Sequence, residues 1–155
     1  MDNFQPVVFK LGQEKYGLNI EYVNAIERFQ TVVRVPNASS SIKGVINLRG
    51  EVIPVVDLKS KFNFPDRSSA SNAEYVIVNL SDSKLALEVD GVDEIHSIEM
   101  TDMVDVPVIA KGAGVDYFEH IAKIGNELVI MINPFKLLSE SERASVEQLV
   151  KDTEE

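Results

Sequence analysis

Residues 42–62 read IKGVINLRGEVIPVVDLKSKF, and two apolar runs meet there at a short polar turn. The run VIPVV at 52–56 is rich in β-branched residues, which is typical of a strand covered on both faces. Pro54 cannot donate a backbone hydrogen bond, so its presence predicts an edge strand or a bulge. Gly50 permits the positive φ that a tight reversal requires. The stretch therefore predicts a β-hairpin that holds Arg49 out on its turn.

The composition indicates one soluble globular domain. The chain has 155 residues, of which 45% are hydrophobic and 26% charged, as expected for a single domain. The formal charge of -10 repels phosphate backbones and anionic lipid, so we expect a protein partner, no nucleic acid and no membrane-surface binding. The chain contains no cysteine, which excludes disulfides and zinc–thiolate sites. It also lacks a signal-peptide pattern and an apolar stretch of the roughly 20 residues that a membrane helix needs, which predicts a cytoplasmic protein.

Short apolar runs around turn residues predict two β-hairpins. The first hairpin joins runs at 7–11 and 15–20, and the second joins runs at 75–80 and 84–89. Between them, residues 23–35 mix a helical spacing with β-favouring valines, which predicts an extended or partly helical crossover. The polar, turn-rich residues 64–73 (FPDRSSASNA) indicate a linker between two halves.

The two halves resemble each other letter by letter. With an ungapped offset of 69, VVFKLGQEKYGLNIEYVNAIERF lies over VIVNLSDSKLALEVDGVDEIHSI, and VINLRGEVIPVVD meets IAKIGNELVIMIN at a slightly larger offset. Period-two alternation alone aligns many β-rich segments, but the ungapped length favours an internal duplication. We therefore expect an all-β fold of two small antiparallel barrels, from residues 7–62 and 75–138, packed face to face.

Helix-start signals stand near the end of the chain. Asn133 and Pro134 are typical of a helix start, and Ser139 with Glu142 forms a capping-box pattern. We expect a C-terminal helix at 139–151, with three apolar residues turned inward: Val146, Leu149 and Val150.

Most residues with catalytic potential fit structural roles. His96 and His120 are not spaced as a metal pair, and His96 corresponds to Glu27, a surface position of the first half. Asp57 stands just before a short helical turn, which predicts a capping role. The segment AKGAG at 110–114 lacks the lysine and hydroxyl pattern of a phosphate loop. No catalytic residue is predicted.

An acidic cluster in EVDGVDEI is the remaining candidate for a metal site. Asp90, Asp93 and Glu94 could hold a hard cation, but the alternating ligands of a calcium loop are absent. A solvated turn with a capping aspartate is the simpler interpretation. We expect no metal and no cofactor.

Arg49 differs from its counterpart in the second half, which is Gly125. Positions with the same residue in both halves are expected to maintain the fold. A position that differs between the halves is a candidate for a function that only one half has. A guanidinium on a turn offers several donors to a partner's carbonyls or carboxylates. The alternative is an ordinary exposed arginine.

The segment at 42–62 resembles the hallmark segment of the CheW family of chemotaxis adaptors. FKLGQEKYGLNIEYV at 9–23, KLALEVDGVDEI at 84–95 and ELVIMINPFKLL at 127–138 fall in the order expected for that family. The resemblance implies two five-stranded SH3-like barrels around a shared hydrophobic core. It also implies a non-catalytic adaptor that joins methyl-accepting chemoreceptors at the membrane to the regulatory domain of the histidine kinase CheA.

The resemblance also implies which residues form the coupling surface. The turn Asn47, Leu48, Arg49 and Gly50 carries over, with Gly44 just before it. Val23 and Ala25 belong to the same surface, and Val52 and Ile53 are implied kinase contacts. The family often has glutamate where this chain has Ala25, so a polar receptor contact is in doubt.

Two other interpretations stay open from the sequence. One is a coupling domain like that of CheV, or a kinase regulatory domain on its own. We favour the free adaptor because no receiver or kinase segment precedes Met1 or follows Glu155. The other is a small-ligand-binding β-barrel, or a hydrolase that uses the acidic cluster.

Overall fold

The computed structural model describes residues 3–28, 30–35, 41–62, 64–65, 73–81, 83–95, 98–99, 103–105, 118–124, 126–139, 142–144 and 146–148. Thirteen strands lie in these ranges: β1 Asn3–Phe4, β2 Pro6–Leu11, β3 Glu14–Asn19, β4 Val23–Arg28, β5 Ile42–Leu48, β6 Glu51–Asp57, β7 Glu74–Leu80, β8 Ser83–Val89, β9 Gly91–Ile95, β10 Ile98–Glu99, β11 Met103–Asp105, β12 Phe118–Ile124 and β13 Glu127–Ile132. The short helix α1 spans Leu58–Lys61, and 3-10 helices span Ile20–Tyr22 and Pro134–Lys136.

The described strands form two main sheets. The first sheet has the order β4-β7-β8-β6-β5, and the second sheet has the order β11-β12-β13-β3-β2-β9. A separate two-stranded pair joins β1 to β10. The predicted, mainly β architecture is confirmed, while closure of either sheet into an SH3-like barrel stays a prediction.

Each main sheet contains strands from both halves of the chain. The β7–β8 hairpin lies between β4 and β6 in the first sheet, and the β2–β3 hairpin lies between β9 and β13 in the second. Residues 7–62 and 75–138 therefore do not form one sheet each, which corrects the expected division into two contiguous barrels. The physical reason is that β4 and β6 would each leave an open edge without the hairpin of the other half.

The strand orders of the two sheets nevertheless correspond to each other as the predicted repeat requires. Under the offsets found in the sequence, β2, β3 and β4 correspond to β7, β8 and β9, and β5 and β6 correspond to β12 and β13. The order β4-β7-β8-β6-β5 then matches β9-β2-β3-β13-β12 strand for strand. This match supports the internal duplication, which stays a prediction.

Three clusters of buried side chains lie within the described residues. The shared core takes residues from both sheets and from α1, including Phe9, Leu18, Leu58 and Leu87. The first-sheet cluster consists of Ile46, Ile53, Val55, Tyr75, Ile77 and Ala86. The second-sheet cluster consists of Val8, Ala122, Val129 and Met131. Each sheet therefore has its own small core in addition to the shared one.

Pro54 lies in an interior strand, because β6 stands between β8 and β5. The prediction of an edge strand at this position is wrong. The pairing register shows why the proline is tolerated. Pro54 is opposite Val45 of β5, whereas the pairing with β8 begins at Val55. The missing N–H of Pro54 is therefore not required by the β6–β8 ladder.

The local predictions around the two hairpins are confirmed. β2 pairs with β3 and β7 pairs with β8, both antiparallel. The crossover after β3 begins as the 3-10 helix Ile20–Tyr22 and continues as strand β4. Asn19 caps this 3-10 helix, because its side-chain oxygen accepts a hydrogen bond from the Glu21 N–H at 3.2 Å.

The helix-start signals near the end of the chain are also confirmed. Asn133 caps the 3-10 helix Pro134–Lys136 through a 2.9 Å bond from the Phe135 N–H. The capping box forms in both directions, since the Glu142 N–H donates to Ser139 Oγ at 3.2 Å and the Ser139 N–H donates to Glu142 Oε1 at 3.0 Å. Residues 142–144 and 146–148 are helical, and Val146 is buried as predicted. Leu149, Val150 and the rest of the predicted helix lie outside the described residues.

Candidate functional site

The turn between β5 and β6 has a backbone shape that few residues adopt easily. Arg49 has φ 52° and Gly50 has φ 87°, so both central residues of the hairpin turn are left-handed. Such turns match the twist of the flanking strands. The side-chain oxygen of Asn47 accepts a 2.9 Å hydrogen bond from the Gly50 N–H, which fixes the turn. Asn47 and Gly50 therefore shape the tip that carries Arg49.

Arg49 is exposed but not free. Its side chain is 76% exposed, and its Nη2 lies 2.9 Å from Oε1 of Glu27, whose side chain is only 15% exposed. Glu27 belongs to β4, which is at the opposite end of the first sheet from β5. The ion pair therefore joins the β5–β6 turn to the strand at the far end of the same sheet. Sequence reasoning missed Glu27, because no spacing signal links residues on distant strands.

Glu27 lies close to Ala25, the position where the CheW family often has glutamate. Residues two apart on a strand face the same side of the sheet, and burial along β4 alternates so that Ala25 and Glu27 are half-buried while Ile26 and Arg28 are exposed. This chain thus carries an acid on the Ala25 face, two residues further along.

Apolar residues occur on the strands that carry the ion pair and on the segment that pairs with β5. Ala25, Val32 and Leu48 are partly buried against the first-sheet cluster. Val33, the next residue after Val32, is 59% exposed, and Ile26 is 37% exposed. We call Ala25, Glu27, Val33, Leu48 and Arg49 the Arg49 rim. It combines a positioned cation with exposed and half-buried apolar surface.

Gly44 allows a close backbone approach next to the rim. The Val33 N–H donates to Val45 O at 2.8 Å and the Val45 N–H donates to Val33 O at 2.9 Å, so the segment after β4 pairs with β5. A Cβ at Gly44 would lie 2.2 Å from the Val33 carbonyl oxygen. Gly44 thus acts by leaving space for residues 33–34 and is itself buried.

The other site residues predicted from the sequence are spread more widely. Val23 packs against the shared core and pairs with Val78, away from the first-sheet cluster. Val52 is half-buried opposite Asn47. Ile53 is 1% exposed and belongs to the first-sheet cluster. A side chain this buried offers no surface to a partner, so the implied kinase contact is wrong for Ile53, while Val52 stays a prediction.

A partly buried ion pair links β5 to β8 and was not predicted from the sequence. The Lys43 ammonium donates to both oxygens of Glu88, at 2.8 and 2.9 Å, and the Tyr75 hydroxyl donates to the same carboxylate at 3.0 Å. Glu88 is 7% exposed. Burial, followed by the charge and hydrogen bond of Glu88, raises the pKa of Tyr75 to about 12. These contacts tie β5 to β7 and β8.

The remaining candidates hold the fold together. Asp90 Oδ2 accepts the Gly12 N–H at 2.7 Å and lies 2.9 Å from Lys59 Nζ. Asp93 lies 3.0 Å from Lys15 Nζ. Asp57 caps α1 through a 3.3 Å bond from the Ser60 N–H, as predicted. No cluster suited to a metal ion occurs among the described residues.

Several predicted positions cannot be placed. His96, Gly125 and residues 111–114 lie outside the described residues, as does the side chain of Glu94. His120 is half-buried on β12. In the part of the chain that the structure describes, no helix is long and apolar enough to cross a membrane.

Comparison with known proteins defines the family. A family model described as a CheW-like domain matches residues 5–142, so the chain belongs to the CheW-like family. It is 32% identical to the chemotaxis protein CheW of Treponema pallidum, over 91% of this chain and 85% of that one. It is also 32% identical to the chemotaxis protein CheW of Klebsiella aerogenes, over 94% and 87% of the two chains.

A solved structure agrees with this assignment. The crystal structure of the scaffolding protein TtCheW from Thermoanaerobacter tengcongensis superposes with a TM-score of 0.82 at 31% sequence identity. The match covers 91% of this chain and 96% of that one. The chain is therefore a chemotaxis scaffold protein of the CheW family.

Proposed function

We propose that this chain is an adaptor that couples the cytoplasmic tips of methyl-accepting chemoreceptors to the regulatory domain of the histidine kinase CheA. Family membership over residues 5–142 supports this role. An adaptor holds two proteins in register and performs no chemistry, so it needs no catalytic residue, metal or cofactor. It acts in the cytoplasm and is recruited to receptor arrays at the membrane.

The observation that carries the proposal is the fixed position of Arg49. Immobilising a long side chain on binding costs roughly 0.5–1.5 kcal/mol. The ion pair with Glu27 orients the guanidinium before any partner arrives, and the 76% exposure leaves donors available to a partner. An arginine held in this way beside apolar residues is typical of an interface hot spot.

The apolar part of the Arg49 rim would supply the rest of the binding energy. Val33 is 59% exposed on a segment that pairs with β5, so a partner can cover it without disturbing the core. Burial of apolar surface contributes about 25 cal/mol per Å². The half-buried Val52, on the strand after the turn, is the proposed kinase contact, and Ile53 supports it from within the first-sheet cluster.

Two proteins can be coupled only if the adaptor favours one state of the complex over another. A rigid scaffold serves this purpose, because contact at one surface then changes the position of the other. The Lys43–Glu88 ion pair and the Tyr75 hydrogen bond stiffen the first sheet, because they join β5 to β7 and β8. They would transmit displacement of β5 to β7 and β8.

Calorimetric titration tests the proposal. The chain is titrated with the isolated CheA regulatory domain of the same organism, and receptor tip fragments are then added to the same cell. Saturable one-to-one binding to both partners is expected. Arg49→Ala should weaken one of the two interactions, whereas Lys123→Ala, an exposed cation on β12 of the second sheet, is the matched control and should weaken neither.

Absence of binding at high concentration, with all proteins folded, would overturn the adaptor role. The family resemblance would then extend to the fold without the partners. A small-ligand-binding β-barrel would become the leading interpretation, and a ligand-induced rise in melting temperature would be the measurement to make next.

A further inference from the structure

The strand pairs that hold each sheet together cross between the two halves of the chain. β4 pairs with β7 and β6 with β8 in the first sheet, and β2 pairs with β9 and β3 with β13 in the second. The first half, residues 3–62, supplies one strand to each pair, and the second half, residues 74–148, supplies the other. Separated halves would expose strand edges without hydrogen-bond partners, which is unfavourable.

The shared core also crosses between the halves. Phe9, Leu18 and Leu58 from the first half lie in one cluster with Leu85 and Leu87 from the second, and each is at most 1% exposed. An interface of this kind resembles that of an obligate oligomer, which is a core divided between two chains. Each half is therefore a binding partner of the other.

The charges of the two halves are complementary. Residues 1–73 contain nine basic and seven acidic residues, a formal charge of +2, whereas residues 74–155 contain six basic and eighteen acidic residues, a formal charge of -12. Two second halves therefore repel each other, while a first half and a second half attract. The net charges therefore favour association of a first half with a second half over association of two second halves.

Ion pairs between described residues follow the same division. Arg28 lies 3.0 Å from Glu74, Lys59 lies 2.9 Å from Asp90, and Lys61 lies 2.6 Å from Glu142. In each of these pairs the cation belongs to the first half and the acid to the second, whereas Glu51 and Lys84 form one inter-half pair of the opposite sense. Exposed pairs add little stability, but pairs placed in this way disfavour the wrong partner.

We propose that the surface of each half also takes the complementary half of a second copy of this chain, giving a dimer in which two copies exchange halves. Phe64 packs against the shared core and its N–H donates to Lys59 O at 2.8 Å, so residues 65–73 connect the halves, and nine extended residues reach about 30–32 Å. Each first half in the dimer makes the same contacts with a second half as in the monomer, so exchange loses no strand pair or ion pair. This proposal does not depend on the adaptor role.

Concentration decides between the monomer and the exchanged dimer. A short flexible linker gives an effective concentration on the order of 1 mM for closure within one chain. The dimer therefore forms when the chain refolds at protein concentrations approaching that value. Raising the concentration from about 10 to about 100 µM should raise the exchanged fraction about tenfold.

Single cysteines report the exchange, since the chain contains none of its own. Arg28 and Glu74 are opposite each other in the antiparallel β4–β7 pair, at a distance that suits a disulfide. Arg28→Cys and Glu74→Cys variants are mixed, unfolded, refolded together and oxidised. A cross-linked dimer is expected, because the two cysteines meet only when the halves come from different copies.

Lys10→Cys mixed with Lys15→Cys is the matched control. These residues are opposite each other in the β2–β3 pair, and both belong to the first half. Their cysteines stay on separate chains in the monomer and in the exchanged dimer, so no cross-link above collision is expected. Natively folded Arg28→Cys and Glu74→Cys chains mixed without unfolding should also remain uncross-linked.

A second pair guards against loss of the Glu74 contacts. Lys10 and Gly91 are opposite each other in the antiparallel β2–β9 pair between the halves. Lys10 is exposed, and a Cβ at Gly91 would meet only Glu74 Oε1, at 4.0 Å, so cysteines there should not disturb folding. Cross-linking of either inter-half pair that rises with concentration and exceeds the control supports the exchange. Cross-linking no greater than the control in both pairs, after refolding at about 100 µM, would overturn it.

Discussion

The carboxylate of Glu27 holds the guanidinium of Arg49 at 2.9 Å, although the strands that carry them are at opposite ends of the first sheet. Because Arg49 is largely exposed, the pair adds less than about 1 kcal/mol to the free energy of unfolding. Its effect is on orientation, since it holds the cation of Arg49 in place next to Leu48. The first two predictions concern this pair.

Arg49→Ala should weaken receptor coupling by about 1–3 kcal/mol, as expected for a hot-spot arginine, while leaving the free energy of unfolding within about 1 kcal/mol of the parent. Coupling is measured as kinase activity in reconstituted mixtures of receptor, kinase and adaptor, and stability by urea unfolding. Coupling equal to that of the parent chain would rule out this role for Arg49.

Glu27→Ala should weaken coupling less than Arg49→Ala, because it removes the group that orients the guanidinium and leaves the guanidinium itself. Adding Ala25→Glu to Glu27→Ala should restore much of the lost coupling, since residues 25 and 27 share one face of β4. The measurement is the affinity of the three variants for receptor tip fragments. Asn24→Glu, at an exposed neighbouring position on β4, is the control and should restore nothing when combined with Glu27→Ala.

Gly44→Ala should destabilise the fold by about 2–4 kcal/mol, because its Cβ would collide with the backbone of Val33. Loss of the two hydrogen bonds between Val33 and Val45 should appear as faster amide exchange at both residues. Gly50→Asn is the matched control, since the space around Gly50 is open and asparagine tolerates its positive φ. An effect of Gly44→Ala no larger than that of the control would contradict the close approach.

Glu142 gives the stability a predictable dependence on pH. Burial alone would raise its pKa, but hydrogen bonds from Lys61, the Ser139 N–H and Ser41 lower the pKa to about 2. A carboxyl whose folded pKa is depressed stabilises the fold above its unfolded value of 4.5 and loses that contribution as the pH falls towards 2. Discounted for solvent screening, the contribution at pH 7 is about 1–2 kcal/mol.

Glu142→Gln should therefore lower the free energy of unfolding at pH 7, and its difference from the parent chain should shrink as the pH falls from 4.5 towards 2. Urea unfolding across this range measures it. Glu147→Gln, an exposed position on the same helix, is the control and should cost little at any pH. A difference between Glu142→Gln and parent that does not change with pH would contradict the ion pair with Lys61.

Local signals in the sequence predicted local structure well. The glycine at position 50, the capping residues Asp57 and Asn133, and the capping box of Ser139 with Glu142 each act over a few residues, so their effects are visible in order along the chain. Alternation and turn residues located both hairpins for the same reason. The repeat offset even matched the strand order of the two sheets.

Contacts between residues that are far apart in the chain could not be predicted from the sequence. Pairing of β4 with β7 and β6 with β8 decides that Pro54 is interior and that neither half forms a sheet alone. The same limit applies to the site, where Arg49 and the turn were found but Glu27 and the partly buried Lys43–Glu88 pair were not. The burial of Ile53 follows from packing across strands. The apolar run at 52–56 did not indicate which of its residues stay accessible to solvent.

Because the strands of the two halves pair with each other, the first half cannot complete its sheets until the second half has been synthesised. When residues 3–62 leave the ribosome, β4, β6, β2 and β3 have none of their second-half partners, which include β13 at Glu127–Ile132. At roughly 5–20 residues per second, the roughly 70 residues still to be made take about 4–14 s. During that interval the nascent chain exposes unpaired strand edges and apolar side chains, the features that make partly folded chains prone to aggregate.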